Sequence, residues 1–225
     1  MDVIRQIRFV WKPALFLLCL VPALLVFTDT LGIGGTLGAN PIEEIQDRFG
    51  NWGLRFILIV LAVTPLRQLT GRNWLLRFRR MLGLFAFFYV LMHFLAWLLL
   101  DQGFLASVIA GEEFDWSVIT EDIFERPFIT IGFAALLILV ALAATSTAGQ
   151  RRRLGRYWQK LHNGVYAAAI LGVWHYWWQV KQDISEPLVY ALVLALLLGY
   201  RVWHHRTRSR AGIARNSRAR LPQSH

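Results

Sequence analysis

The sequence predicts an all-α integral membrane protein with six transmembrane helices and both termini in the cytoplasm. Of its 225 residues, 56% are hydrophobic, and they gather into runs of about 20 residues, the length that crosses a hydrocarbon core about 30 Å thick. Helices are expected because lipid offers no hydrogen-bond partners to an unpaired backbone. The net charge of +10 lies almost wholly at the ends of these runs, so membrane topology explains it better than nucleic-acid binding does.

The six apolar runs define the predicted spans, with approximate limits 12–30, 51–68, 80–101, 127–146, 156–181 and 187–204. The first run follows three basic residues and resembles a signal peptide, but Pro22 interrupts it and no small-residue cleavage site follows. We therefore predict an uncleaved first span that contains the single cysteine, Cys19, as a buried thiol. Residues 1–204 form one membrane domain. Residues 205–225 form a basic cytoplasmic tail, expected to be disordered or to lie on anionic lipid.

Alternate connections carry opposite charge, which sets the orientation. Most of the 24 Lys and Arg residues lie in the N-terminus, the second and fourth connections and the tail, and the positive-inside rule places these segments in the cytoplasm. The outer connection 102–126 is acidic, with Glu112, Glu113, Asp115, Glu121, Asp122 and Glu125. Two interpretations stay open for it: a solvated acidic face, or a docking surface for an external partner with a basic patch.

Two histidines lie at similar depths in two predicted spans. His93 lies 13 residues beyond Arg80, at the start of the third span, and His175 lies 15 residues beyond Lys160, near the start of the fifth. Both spans run outward, so the two imidazoles differ by about 3 Å in depth. An intramembrane imidazole is costly without a partner, and two at one depth on facing helices suit a bis-histidine haem. Histidines that only hydrogen-bond across helices remain the alternative.

A third histidine and three arginines lie at the cytoplasmic end of the same spans. On one regular helix, His162 and His175 would point about 140° apart, so an interfacial role and a functional role for His162 both stay open. Arg77, Arg79 and Arg80 are candidate partners for haem propionates or a flavin phosphate, although topology alone also explains them.

Several segments carry a family resemblance: NPIEEIQDRFGNWGLRF, LAVTPLR, RRMLGLFAFFYVLMHF and TSTAGQRRRLGRYWQKLHNGVYAAAILGVWHYWW. In order, over residues 40–200, they closely resemble the haem-binding membrane subunits of periplasmic protein-methionine-sulfoxide reductase systems, in the ferric-reductase-like transmembrane superfamily. The resemblance implies a cytochrome b-like bundle in the bacterial inner membrane that binds haem b. The histidines of the family fall on His93, His162 and His175, with His93 and His175 as the axial iron ligands.

The resemblance also implies an electron path. Electrons would come from the quinone pool or a cytosolic flavin reductase, and would leave for a separate periplasmic molybdopterin subunit that reduces methionine sulfoxide in oxidised envelope proteins. One haem is implied and a second stays open, because the related NADPH oxidases carry four histidines on the corresponding helices and this chain has three. FMN is associated with the family, but no motif locates it here. A stand-alone cytochrome reducing ferric iron or oxygen, and a non-redox transporter or assembly factor, remain alternatives.

Overall fold

A computed structural model describes residues 3–180 and 183–219, and all regular structure in this part of the chain is helical. The α-helices are α1 Val3–Gln6, α2 Lys12–Thr30, α3 Pro41–Thr70, α4 Arg79–Ala96, α5 Phe104–Ala110, α6 Ser117–Glu125, α7 Pro127–Ala144, α8 Ala148–Leu154, α9 Arg156–His162, α10 Gly164–Gln179 and α11 Ser185–Ala219. Ile7–Trp11 and Trp97–Asp101 are π-helical turns, and Asn73–Arg77 is a 3-10 turn.

Five helices in the described ranges are long and apolar enough to cross a membrane. They are Ile4–Thr30, Pro41–Thr70, Arg79–Asp101, Pro127–Ala144 and Ser185–Thr207. The all-helical, multi-pass membrane fold predicted from the sequence is therefore confirmed. A crossing by the remaining predicted span, residues 156–181, and the orientation of the termini stay predictions.

The predicted fifth span is divided in the structure. Helix α9 ends at His162 and α10 begins at Gly164, and the one residue between them, Asn163, keeps right-handed helical backbone angles (φ −68°, ψ −16°). The rotation calculated for one regular helix therefore applies to these two side chains except for the local irregularity at Asn163. Helix α10 alone has 16 residues, but α9, Asn163 and α10 together run from Arg156 to Gln179, which is long enough for a span of about 20 residues.

Two other helix boundaries differ from those in the sequence prediction. Helix α3 begins at Pro41, well before residue 51, because Asn40 caps it by accepting a hydrogen bond from the backbone N–H of Glu43 and proline suits a first helical position. Helix α11 continues to Ala219, so the first part of the tail expected to be disordered or lipid-bound is helical.

Two antiparallel helix pairs form the centre of the bundle. Helix α3 packs on α4 and α7 packs on α10, while α4 also contacts α7 and α10 contacts α3. Small residues let the backbones approach, since Ala168 and Ala169 are 0% exposed and a Cβ at Gly53 of α3 would lie 2.7 Å from Val90 of α4. Helices α2 and α11 pack against this four-helix centre.

A buried tyrosine ties α2 to the centre of the bundle. The Tyr89 hydroxyl accepts a hydrogen bond from the Ala23 backbone N–H at 3.1 Å and donates one to the Cys19 carbonyl at 2.7 Å. It thereby occupies the place of the direct bond from Ala23 to Cys19, beside Pro22, which has no N–H of its own. Tyr89 is 0% exposed and lies one turn before His93, so α2 is fixed close to the histidine level.

Candidate haem-binding site

The structure brings His93 and His175 together between α4 and α10. Their ring centroids lie 6.0 Å apart, with the ring planes at 77°. The Nδ1 of His93 lies 2.8 Å from the carbonyl oxygen of Gln46 in α3, and the Nδ1 of His175 lies 2.7 Å from that of Phe128 in α7. Because a carbonyl oxygen only accepts, each Nδ1 carries the hydrogen, and each Nε2 keeps a lone pair available for a metal.

The spacing of the two rings fits one metal ion between them. A bond from a metal to an imidazole nitrogen is roughly 2.0–2.1 Å long, so two nitrogens on opposite sides of one ion are about 4 Å apart. Ring centroids lie behind the nitrogens, which makes a centroid separation of 6.0 Å compatible with both Nε2 atoms binding one iron. Within residues 3–180 and 183–219, neither Nε2 has a hydrogen-bond partner.

The surroundings of the pair are apolar and aromatic. The ring of Phe128 lies 6.1 Å from that of His175, and Phe94 and Phe133 pack across α4 and α7 at 6.0 Å. Trp97 follows His93 by one turn and is 9% exposed, and its indole N–H has no partner in the described part of the chain. A buried N–H normally has an acceptor, and a haem propionate could supply it. The residues present therefore fit a haem held by two histidines.

His162 lies apart from this pair, at the opposite end of the bundle. Its ring stacks on Trp158 with centroids 4.0 Å apart, and its Nε2 lies 3.1 Å from the Thr145 hydroxyl oxygen. The Trp158 indole donates a hydrogen bond to the Thr145 carbonyl. The rings of His162 and Trp158 therefore both contact Thr145, the residue that directly follows α7.

A cavity of about 360 Å³ borders His162 and is enclosed by α3, α4, α7 and the segment 146–165. Its polar wall consists of Arg79, Arg80, Arg151, Ser146, Thr147, Trp158 and His162. Cationic side chains beside an aromatic pair suit a planar ligand that carries an anionic group. We call this the arginine cavity.

The three candidate arginines do not share one location. Arg79 and Arg80 line the arginine cavity, whereas Arg77 is exposed at the end of the 3-10 turn and does not border it. Arg79 precedes His93 by 14 residues, or about 21 Å of helix. A propionate of a haem at His93 could not span that distance. The geometry therefore favours an anionic ligand in the cavity as the partner of Arg79 and Arg80.

The acidic outer connection forms α5, α6 and the turns around them. Asp122 accepts a hydrogen bond from Gln102 and forms a salt bridge with Arg126. At Asp115, a hydrogen bond from the Ser117 backbone N–H lowers the pKa of the carboxyl group, so this side chain is charged at neutral pH. Phe124 is 82% exposed on the same connection. Both interpretations of this connection, solvated face and docking surface, stay open.

The groups that hold the histidines could not be identified from the sequence. The carbonyls of Gln46 and Phe128 carry no sequence signal of their own, because every residue has one. The contact of His162 with Thr145 depends on how the chain between α7 and α9 folds back, a stretch that includes Gly155 at positive φ. Trp97 could have been noticed, since it follows His93 by four residues and so lies on the same helix face.

Comparison with known proteins assigns the family. The family model described as "Ferric reductase like transmembrane component" matches residues 49–173. A relative from Xanthomonas euvesicatoria pv. vesicatoria (strain 85-10), named "Protein-methionine-sulfoxide reductase heme-binding subunit MsrQ", is 54% identical over 173 residues, covering 76% of this chain and 74% of its own. The chain belongs to the MsrQ family of ferric reductase-like transmembrane proteins.

A relative from a second genus carries the same name. The protein of that name from Ralstonia nicotianae (strain ATCC BAA-1114 / GMI1000) is 50% identical over 193 residues, which is 84% of this chain and 83% of its own length. Both relatives are named as haem-binding subunits of a methionine-sulfoxide reductase. The family resemblance predicted from the sequence segments is confirmed.

Proposed function

We propose that this chain is a b-type haem subunit of the bacterial inner membrane that carries electrons outward to a periplasmic molybdopterin-containing methionine-sulfoxide reductase. The observation that supports this most is the pair His93 and His175, whose rings lie 6.0 Å apart with each Nδ1 on a backbone carbonyl. A haem bound there would supply a one-electron carrier. Reduction of the sulfoxide would take place on the partner, so this chain would need no catalytic residue.

The residues of the chain would serve this function by holding and shielding the site. The carbonyls of Gln46 and Phe128 keep the hydrogen on Nδ1, which leaves Nε2 for iron and fixes the ring orientation. The surrounding phenylalanines exclude water. In the predicted topology the pair lies in the outer half of the membrane, which would shorten the distance to a periplasmic acceptor.

The arginine cavity would be the site where electrons enter. We assign FMN to it, with the phosphate near Arg79, Arg80 or Arg151 and the ring system near Trp158 and His162. Among the described residues, His162 is the only histidine bordering the cavity, so a second haem would need a different second ligand. One haem and one flavin are therefore favoured, with the quinone pool or a cytosolic flavin reductase as donor.

Spectra and haem content of the purified chain test the proposal. Detergent-purified protein should show the reduced spectrum of b haem, and His93→Ala or His175→Ala should abolish it. His162→Ala is the matched control, because this imidazole lies at the other end of the bundle, and its haem content should stay at the wild-type level. Wild-type protein that stays colourless when supplied with haem, or full haem retention in both variants, would refute the proposal.

The alternatives give different results in the same preparation. A stand-alone cytochrome would reduce ferric iron or oxygen at a catalytic rate without any periplasmic protein. A transporter or assembly factor would show no haem spectrum. The proposed partner would be supported if the reduced haem of the chain is oxidised rapidly by the periplasmic reductase and slowly by ferric iron or oxygen.

A further inference from the structure

One three-part arrangement occurs twice, at an interval of 82 residues. Each copy has a residue whose carbonyl binds an imidazole, a glycine four positions later, and the histidine itself 43 positions after the glycine. The members are Gln46, Gly50 and His93 in the first copy, and Phe128, Gly132 and His175 in the second. The two antiparallel helix pairs of the bundle thus present their histidines in the same way.

The spacing of carbonyl and glycine has a simple physical reason. In an α-helix, the side chain four residues after a carbonyl lies on the same face, one turn further along. That carbonyl already accepts the backbone N–H of the residue four positions later, so an additional donor must approach it from the side. A glycine at that position leaves the side open, and an imidazole from the neighbouring helix can reach the oxygen.

A side chain at either glycine would crowd the imidazole that faces it. A Cβ at Gly50 would lie 3.0 Å from the Nδ1 of His93, and a Cβ at Gly132 would lie 2.8 Å from the Nδ1 of His175. The neighbouring Cε1 atoms would be at 3.2 Å and 2.9 Å. Even the methyl group of alanine would therefore push each ring away from its carbonyl, and more strongly at Gly132.

We propose that Gly50 and Gly132 are positioning residues for the haem: each opens one helix flank so that a backbone carbonyl fixes the tautomer and direction of an axial histidine. This inference rests on the proposed haem site and adds two residues to it. Neither glycine would touch the iron, and each would act only through its histidine.

The electronic consequence has a definite sign. A hydrogen bond from Nδ1–H to a carbonyl makes the imidazole a stronger donor to a metal, and a stronger donor stabilises the ferric state over the ferrous state. Moving the ring off the carbonyl should therefore raise the reduction potential of the haem. It should also change the angle between the two imidazole planes, which the electron paramagnetic resonance spectrum of a low-spin ferric haem reports.

Gly53 provides a matched control on the same helix pair. A Cβ there would lie 2.7 Å from the Cγ2 of Val90, closer than either of the two contacts above, and its three nearest atoms all belong to Val90 rather than to an imidazole. Gly53→Ala should therefore disturb the packing of α3 on α4 at least as much as Gly50→Ala does, without moving His93 directly.

The experiment compares the purified full-length chain with Gly50→Ala, Gly132→Ala and Gly53→Ala, each supplied with haem b. Gly50→Ala and Gly132→Ala should bind haem about 10–100-fold more weakly, with a more positive potential and altered resonance g values in the haem that remains. Gly53→Ala should keep the wild-type potential and g values. If Gly132→Ala does not accumulate in the cell, Gly50→Ala alone tests the proposal, because the added Cβ at Gly50 lies further from its imidazole (3.0 Å) than the one at Gly132 (2.8 Å).

The outcomes separate this inference from the proposed function. Wild-type potential and g values in Gly50→Ala would overturn the positioning role, as would equal shifts in Gly53→Ala, which would indicate packing alone. Failure of the proposed function would instead appear as a wild-type chain without haem, or as haem retained after His93→Ala and His175→Ala.

Discussion

His162 stacks on Trp158 with ring centroids 4.0 Å apart, and this pair lies at the far end of the bundle from His93 and His175. The ends of the bundle therefore differ in chemistry. One offers two imidazole nitrogens in an apolar setting, and the other offers an aromatic pair beside arginines. An electron carrier at each end would divide electron transfer across the membrane into two shorter steps.

The first prediction concerns His162. Replacing it with alanine should leave haem content unchanged and should slow haem reduction from the cytoplasmic side by about tenfold, equivalent to ~1.4 kcal/mol in the barrier, because the ring that faces the arginine cavity is lost. Stopped-flow reduction with a flavin reductase measures this rate. Thr145→Val, which removes only the hydroxyl near His162, should have a smaller effect. Loss of all haem in His162→Ala would contradict the separation of the two sites.

The second prediction concerns the arginines. Arg79→Gln should weaken FMN binding by about 1.5–3 kcal/mol, the range for a hydrogen bond to a charged group, because Arg79 lines the arginine cavity. Arg77→Gln is the matched control, since this side chain lies outside the cavity and should leave affinity unchanged. Quenching of flavin fluorescence during titration measures both constants. Equal losses in the two variants would show that general positive charge, rather than the cavity, attracts the flavin.

The sequence predicts depth well and side-chain partners poorly. The distances of His93 and His175 from charged residues at the span ends locate them at one level, because a helix rises by a constant amount per residue. The local irregularity of the helix at Asn163 could not be predicted from the apolar composition of the segment 156–181. Which backbone carbonyl a histidine reaches, such as that of Gln46 for His93, depends on which helices pack together. The spacing of Gly50 and Gly132 from the two histidines can be interpreted only once those helix pairs are known.

The third prediction concerns the tie between α2 and the bundle. Tyr89→Phe removes the hydroxyl that bonds to Ala23 and Cys19, so it should lower the free energy of unfolding by about 1–3 kcal/mol, the cost of leaving a buried group unpaired. Thermal unfolding in detergent measures the change. Tyr157→Phe is the control, because this ring is exposed and, among the residues that the structure describes, its hydroxyl bonds only to the neighbouring Arg156. Unchanged stability in Tyr89→Phe would indicate that α2 closes its own backbone bond when the hydroxyl is absent.

The fourth prediction concerns whether the segment formed by α9 and α10 crosses the membrane. In a Cys19→Ala background, which removes the single native thiol, cysteine placed at Glu113 or Asp183 should react with an impermeant maleimide in intact spheroplasts. Cysteine placed at Arg152 or Arg206 should react only after permeabilisation. All four side chains are exposed, so accessibility of the residue does not limit the reaction.

Arg152 and Asp183 give the decisive comparison, because they lie on either side of α9 and α10. Opposite labelling would show that the helical run of α9 and α10, from Arg156 to Gln179, crosses the membrane, giving six crossings and placing His175 within the membrane beside His93. Labelling from the same side would leave five crossings and put the two termini on opposite faces. The haem proposal depends on the first result, since His175 must lie within the membrane at the level of His93.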